Sequence, residues 1–303
     1  MESMTDKVAA VVVTYNRVDK LGRVLDSILA QSRGVDQLIV IDNASTDSTQ
    51  QLLAVYQDDP RVEVVRLENN TGGAGGFAAG MERAYERGAD WVWIMDDDCY
   101  TGETALENLL AGHASAENEL GRPVPYSCSL VRYTDGSICE MNNPGTAWDW
   151  GRLIAKGQNT VVITNCSFVS VLIPRRSIAK YGLPLVEYFI WFDDMEYTLR
   201  ISAEGPGVQV LDSIVTHDMP DNRGVNFGDL NRSNAWKFYY GARNESSYRW
   251  HHDNKLDWLR FVVSTYVWMR RGRVGRRLQL GVSKRILEGI KFNPAPKHVR
   301  SVL

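Results

Sequence analysis

Short apolar runs alternate with amphipathic stretches through the first third of the chain. Val11 to Val13, within KVAAVVVTYN, form a continuous Val-rich run of the kind that fills a buried strand. From Val18 to Ala30, Leu21, Val24, Leu25, Ile28 and Leu29 recur at helical spacing. Gly34 then marks a turn, and QLIVID predicts a second strand ending at Asp42. Leu52, Leu53 and Val55 mark the next helix, for which Ser45 is a candidate cap, and VEVVRL at 62–67 predicts a third strand. NNTGGAGGF leads into a helix through Arg87. ADWVWIMDDD predicts a fourth strand closed by three acids, with a further helix starting at Thr101 or Gly102, near Glu103.

This alternation predicts an α/β fold with a mostly parallel central sheet covered by helices on both faces. Polar residues follow the strand ends at Tyr15–Asn16, Asp42–Asn43, Asn69–Asn70 and Asp96–Asp98, and open α/β sheets bind ligands along that carboxyl edge. From about residue 120 the rhythm changes. PYSCSLVRYTDGSIC reads as a strand pair turning at Asp135-Gly136, and TVVITNCSFVSVLIPR as one or two strands ending before Pro174. EYFIWFDDMEYTLRISAEG opens a helix with acids, and GVQVLDSIVTHDMP gives a strand followed by His217. Residues 219–233 read as a surface loop with few apolar anchors.

Composition narrows the class. The 303 residues carry 44% hydrophobic and 23% charged side chains, which excludes a wholly disordered chain. Mean hydropathy is -0.28, and no apolar run reaches the length of a membrane span. MESMTDK passes directly into a strand without a signal-peptide pattern, and the four cysteines lack zinc-like spacing, so a cytoplasmic protein is expected. The net charge of -3 is a cancellation. Residues 1–242 hold 20 basic and 33 acidic side chains, whereas residues 243–303 hold 14 and 4.

Asp96, Asp97 and Asp98 close a rigid apolar strand. Such acids cap a turn, or they ligate Mg²⁺ or Mn²⁺ through oxygen and neutralise a diphosphate. Asp42 either accepts hydrogen bonds from a base or ribose or caps the following helix, and Asp47 reads as structural. Asn70 and the glycines Gly72, Gly73, Gly75 and Gly76 stand at a helix entrance, where backbone N–H groups can face anions. Their spacing fits neither GxGxxG nor GxxxxGK[ST], which disfavours a dinucleotide fold or a P-loop.

The second acidic set is Asp193, Asp194 and Glu196, behind Trp191 and Phe192. Glu196 and Arg200 could form a helical pair, and either aspartate could cap the helix. Acids beside an aromatic wall also suit sugar hydroxyls, and one carboxylate can act as general base. His217 is a local hydrogen-bonding residue or a third ligand for a metal at the triplet. Asn165 orients a sugar hydroxyl or satisfies a turn.

The chain resembles an inverting glycosyltransferase of the GT-A, family 2 type, in its bacterial galactofuranosyltransferase and rhamnosyltransferase branch. VVVTYNR, VIDNAS, NNTGGAGGF and DWVWIMDDD resemble the family's nucleotide-binding half. TNCSFVSVLIP, FIWFDDMEYTLR, IVTH and FYYGARN resemble its acceptor half and the segment after it, over about residues 8–245. The resemblance implies a catalytic domain at 1–245, with nucleotide-binding (1–120) and acceptor-binding (121–245) halves, and a basic helical extension at 246–303. It implies that Thr14 and Asp42 lie near the nucleotide base and that Asp96 and Asp97 contact the donor. By the same resemblance, Asp98 and His217 hold the metal, the last two acids of the triplet being the working ones. Asp194 is then the base, while Asn165, Trp191, Asp193 and Glu196 bind acceptor. UDP-galactofuranose is the expected donor and dTDP-rhamnose its alternative, with a glycan or polyprenyl-diphosphate-linked glycan as acceptor. A noncatalytic carbohydrate-binding scaffold and a glycoside hydrolase are rival readings.

Residues 256–290 interleave bases with Leu, Val, Ile and Trp. A helical pair packed on the core accounts for this, as does an interfacial helix on the inner face of the membrane. Nucleic-acid binding lacks a recognition fold and is disfavoured by the acidic body. Homo-oligomerisation through the tail stays open.

Overall fold

The computed structural model describes residues 6–299. In chain order the first half comprises β1 (Val8–Thr14), α1 (Val18–Leu29), β2 (Gln37–Asp42), α2 (Thr49–Ala54), β3 (Val62–Arg66), α3 (Gly72–Glu86), β4 (Trp91–Asp96), β5 (Cys99–Thr101) and α4 (Ala105–Leu120). The second half comprises β6 (Ser127–Tyr133), β7 (Gly145–Thr146), β8 (Thr160–Asn165), β9 (Val171–Pro174), α5 (Arg175–Tyr181), α6 (Asp193–Ile201) and β10 (Gly207–His217). Three helices close the chain: α7 (Ala235–His251), α8 (Lys255–Arg271) and α9 (Arg276–Gly289).

All ten strands form one sheet in the order β3-β2-β1-β4-β9-β6-β10-β8-β7, with β5 paired to β10. The block β3-β2-β1-β4 is parallel throughout, and β6 and β10 run parallel to each other. Strand β9 is antiparallel to both β4 and β6. Two reversals restore the direction, so β10 runs the same way as β1, β2 and β4 and its carboxyl end reaches their edge. The expected α/β fold with flanking helices and a C-terminal helical segment is thereby formed.

Period-two alternation in β1 divides the core. Val8, Ala10 and Val12 pack with α1 and α4 on one face, while Ala9, Val11 and Val13 pack with α3 on the other. Two glycines let α3 approach the sheet, because Gly76 and Gly80 face the Val13 and Val11 side chains with no room for a Cβ. A separate core joins α7, α8 and α9 through Phe238, Phe261, Met269, Val282 and Ile286. Helix α7 runs unbroken through residues 245 and 246.

Four local expectations change. Ser45 does not cap a helix, since α2 starts at Thr49; its hydroxyl accepts the Asn16 N–H instead. The strand pair at Asp135-Gly136 reduces to β6 and a single Arg132–Ile138 bridge. The helix after the acidic triplet starts at Ala105, because Cys99–Thr101 is drawn into an antiparallel pairing with β10. The 219–233 segment is anchored by Phe227, whose ring meets Phe238 and Phe261 edge-on.

Candidate active site

The β5–β10 pairing builds one end of the site, a candidate metal-binding cluster. It sets Cys99 opposite His217, so that Asp98, one residue earlier, meets the imidazole with Nε2 3.0 Å from Asp98 Oδ1. Ligand atoms of Asp96, Asp98 and His217 all lie within 4.8 Å of one another. The family resemblance favoured Asp97 and Asp98 as the working acids. The structure groups Asp96 with Asp98 and turns Asp97 away, its Oδ2 accepting the Tyr15 N–H at 3.2 Å. Strand β4 ends at Asp96, and the turn through Asp97 and Asp98 separates their directions before β5 pairs with β10.

The electrostatics of the triplet are uneven. Burial and the neighbouring Asp98 charge push the Asp96 carboxyl up to about 8, and burial pushes Asp97 up to about 6. Burial also acts on Asp98, but the His217 hydrogen bond and Arg17, at 2.9 Å from Oδ2, hold it below the usual carboxylate range. For His217, burial opposes the charge, yet the bond to Asp98 raises it to about 10. Two carboxylates and one imidazole are oxygen and nitrogen donors suited to Mg²⁺ or Mn²⁺. A divalent cation would offset both the burial and the Asp98 charge that raise the Asp96 carboxyl, so the residues fit that group.

Asn142, which sequence reasoning missed, aims the imidazole. Its amide donates to Ser167 Oγ at 2.7 Å, which turns Oδ1 toward His217 Nδ1 at 2.8 Å. The Nδ1–H is thus bound to an acceptor, and Nε2 is the atom presented to the carboxylates. Arg17 was visible only as the last letter of VVVTYNR; nothing local signalled its bond to Asp98.

Thr14 closes β1 with its hydroxyl buried and unpartnered among the described residues. Asp42 is buried, and both oxygens are engaged, by Arg66 Nη1 at 2.6 Å and by the Ser45 N–H at 2.8 Å. Asp47 is structural, accepting from Thr49 and Val18. The glycine-rich entrance is fixed from both sides. Asn43 accepts the Thr71 N–H and donates to the Gly72 carbonyl, both at 2.8 Å, and Asn70 accepts the Gly72 N–H. Gly72 has φ +72 against the Phe189 backbone, where a side chain would collide. Gly75 and Gly76 face Thr71 and Val13, so they serve close packing. Gly73 instead opens toward Asp193 Oδ2.

The second acidic set divides as well. Burial and the Asp194 charge drive Asp193 well above the usual range, and burial raises Asp194 to about 6. Asp96 lies within electrostatic reach of both, which brings the two acidic sets into one site. Glu196 is buried and accepts from Arg200 through both its oxygens, at 2.7 and 3.1 Å. Trp191 is partly buried against the helical core, edge-on to Phe238 at 4.8 Å. Asn165 donates to Thr164 Oγ1 and packs on Gly145 of β7. Trp236, 46% exposed, meets the Phe189 ring edge-on at 6.5 Å.

A galactofuranosyltransferase of Mycobacterium tuberculosis, GlfT1, is 28% identical over 92% of this chain and 98% of its own length. Residues 1–349 of TarS from S. aureus share the fold at TM-score 0.54 and 15% identity, over 94% of this chain and 89% of that one. GalNAc-T7, in a crystal structure with UDP, GalNAc and Mn²⁺, matches at TM-score 0.56 and 12% identity, over 98% of this chain and 60% of that one. The model of Glycosyl transferase family 2 matches residues 9–181, more than half of the chain, and the protein belongs to that family.

Proposed function

We propose that the protein transfers galactofuranose, with inversion, from UDP-galactofuranose to a glycan or polyprenyl-diphosphate-linked glycan. The observation that carries the transferase reading is the convergence of Asp96, Asp98 and His217 with the Asp193–Asp194 pair at one sheet edge. The near-full-length likeness to a galactofuranosyltransferase supports the choice of sugar.

In this reading Asp96, Asp98 and His217 hold a divalent cation, which would offset negative charge on the departing diphosphate. Asp194 accepts the acceptor hydroxyl proton as that oxygen bonds to the anomeric carbon. The bond from that carbon to the diphosphate oxygen breaks in the same displacement, and the nucleoside diphosphate leaves with the electron pair. Asp193, whose carboxyl is pushed upward by burial and the Asp194 charge, binds an acceptor hydroxyl. A donor panel with a lipid-linked acceptor, read by product mass and linkage, tests the assignment. Transfer from dTDP-rhamnose alone would overturn the sugar, and no transfer from any donor would favour a carbohydrate-binding scaffold.

We further infer that α8 and α9 rest on an anionic membrane face. Leu256, Leu259, Val263 and Val267 lie exposed along one side of α8, rimmed by Arg260 and Arg271. Residues 255–291 carry ten basic and two acidic side chains, a charge that suits anionic lipid and opposes pairing with a second copy. No helix among the described residues is long and apolar enough to cross a membrane.

A further inference from the structure

Asp193 and Asp194 are delivered by a strained loop. Phe189, Trp191 and Phe192 have φ of 64°, 64° and 68°, a left-handed region that bulky side chains rarely adopt. Phe189 has ψ -61°, and the Ile190 N–H closes onto the Tyr188 carbonyl at 2.7 Å, which makes a γ-turn of the rare positive-φ kind. Nothing in the local sequence pays this cost, so the restraint has to come from outside the loop.

It comes from α7. Asn244 is fully buried, and its amide nitrogen faces three carbonyls of the loop, Tyr188 at 2.8 Å, Ile190 at 3.2 Å and Trp191 at 2.9 Å. Arg243 Nε and Nη2 donate to Asn244 Oδ1 at 3.1 and 2.9 Å, which fixes the amide with its nitrogen toward the loop. One turn earlier, Tyr240 stacks on Phe189 at 4.8 Å, and Gly241 leaves room for Trp191. From the opposite side, the Phe189 carbonyl accepts the Ala74 N–H at the start of α3.

We propose that Asn244 is the positioning residue of Asp194, holding the 188–192 turn so that the carboxylate faces the reacting hydroxyl. The proposal rests on the reading of Asp194 as the base. The C-terminal helical segment thereby acquires a role in transfer: its first helix sets the geometry of a carboxylate that lies outside it.

The test compares N244D, R243M, D194N and N244D/D194N in the full chain, with thermal unfolding as a check on folding. N244D keeps the side-chain shape and removes both donors. Its kcat should fall about 10- to 100-fold, with UDP affinity in the presence of Mn²⁺ changed less than about twofold. R243M should shift kcat the same way by a smaller factor, and it decides the matter if N244D does not fold. Because Asn244 acts through Asp194, adding N244D to D194N should produce no further loss. Near-native kcat in N244D beside an inactive D194N, or losses that multiply in the double variant, would overturn the clamp alone. Near-native transfer by D194N would take down the base assignment and the clamp with it.

Discussion

His217 Nε2 lies 3.0 Å from Asp98 Oδ1 although 119 residues separate them in the chain. The antiparallel register of β5 with β10 makes that contact, and Asn142 fixes which imidazole nitrogen takes part. The consequences are measurable.

Proton uptake and metal binding compete at this cluster. The folded Asp96 keeps a proton up to about pH 8, whereas an unfolded aspartate loses it near its ordinary 3.8. The folded chain therefore holds the extra proton, and stability falls as pH rises through that window. His217, raised to about 10, adds in the same direction above its ordinary 6.5. Mn²⁺ needs the deprotonated ligands, so its gain in Tm should be larger at pH 8.5 than at pH 6. A thermal-shift series in both buffers measures this, and an equal or reversed gain contradicts it. H217A and D98N should each weaken Mn²⁺ binding by at least about 10-fold in an EPR titration.

D194N should retain nucleotide binding and lose about 10²- to 10⁴-fold in transfer rate. For the native protein, kcat should climb with pH and level off above about 6, because burial raises the base to that value and it works only ionised. A rate profile flat from pH 5 to 8, with chemistry rate-limiting, would remove Asp194 from that role.

Gly80 sits where α3 meets Val11 of β1. In an exposed helix, alanine for glycine stabilises; here the added methyl enters the valine side chain. G80A should cost about 1–3 kcal/mol in urea unfolding. A stabilised G80A would mean that α3 stands farther from the sheet.

L259D and V263D place charge on the uncovered side of α8. Both should leave Tm and transfer to a soluble acceptor unchanged and reduce sedimentation with phosphatidylglycerol vesicles by at least about 10-fold. Unaltered vesicle binding would clear this face of the role. Loss of a concentration-dependent dimer would assign it to a second copy.

Much of the molecule is legible without coordinates. The period of apolar residues reports burial locally, so the βα order through β4, the two acidic sets and the basic end were readable from their own segments. Family resemblance singled out Asp98 and His217. Partnership was not legible, because it depends on residues far apart in the chain. Asp97 was favoured over Asp96 until the turn after β4 aimed it at the Tyr15 N–H. The Arg200 pairing of Glu196 was readable as a local alternative, whereas the Phe238 contact of Trp191, 47 residues on, was not. Helix α7 carries only a weak amphipathic pattern and was missed, yet Asn244 on it holds the turn before Asp193. Residue type and local period thus determined which elements form and which side chains are chemically able. Non-local pairing, above all β5 against β10 and α7 against the 188–192 turn, decided which of them meet, since no neighbour in sequence records it.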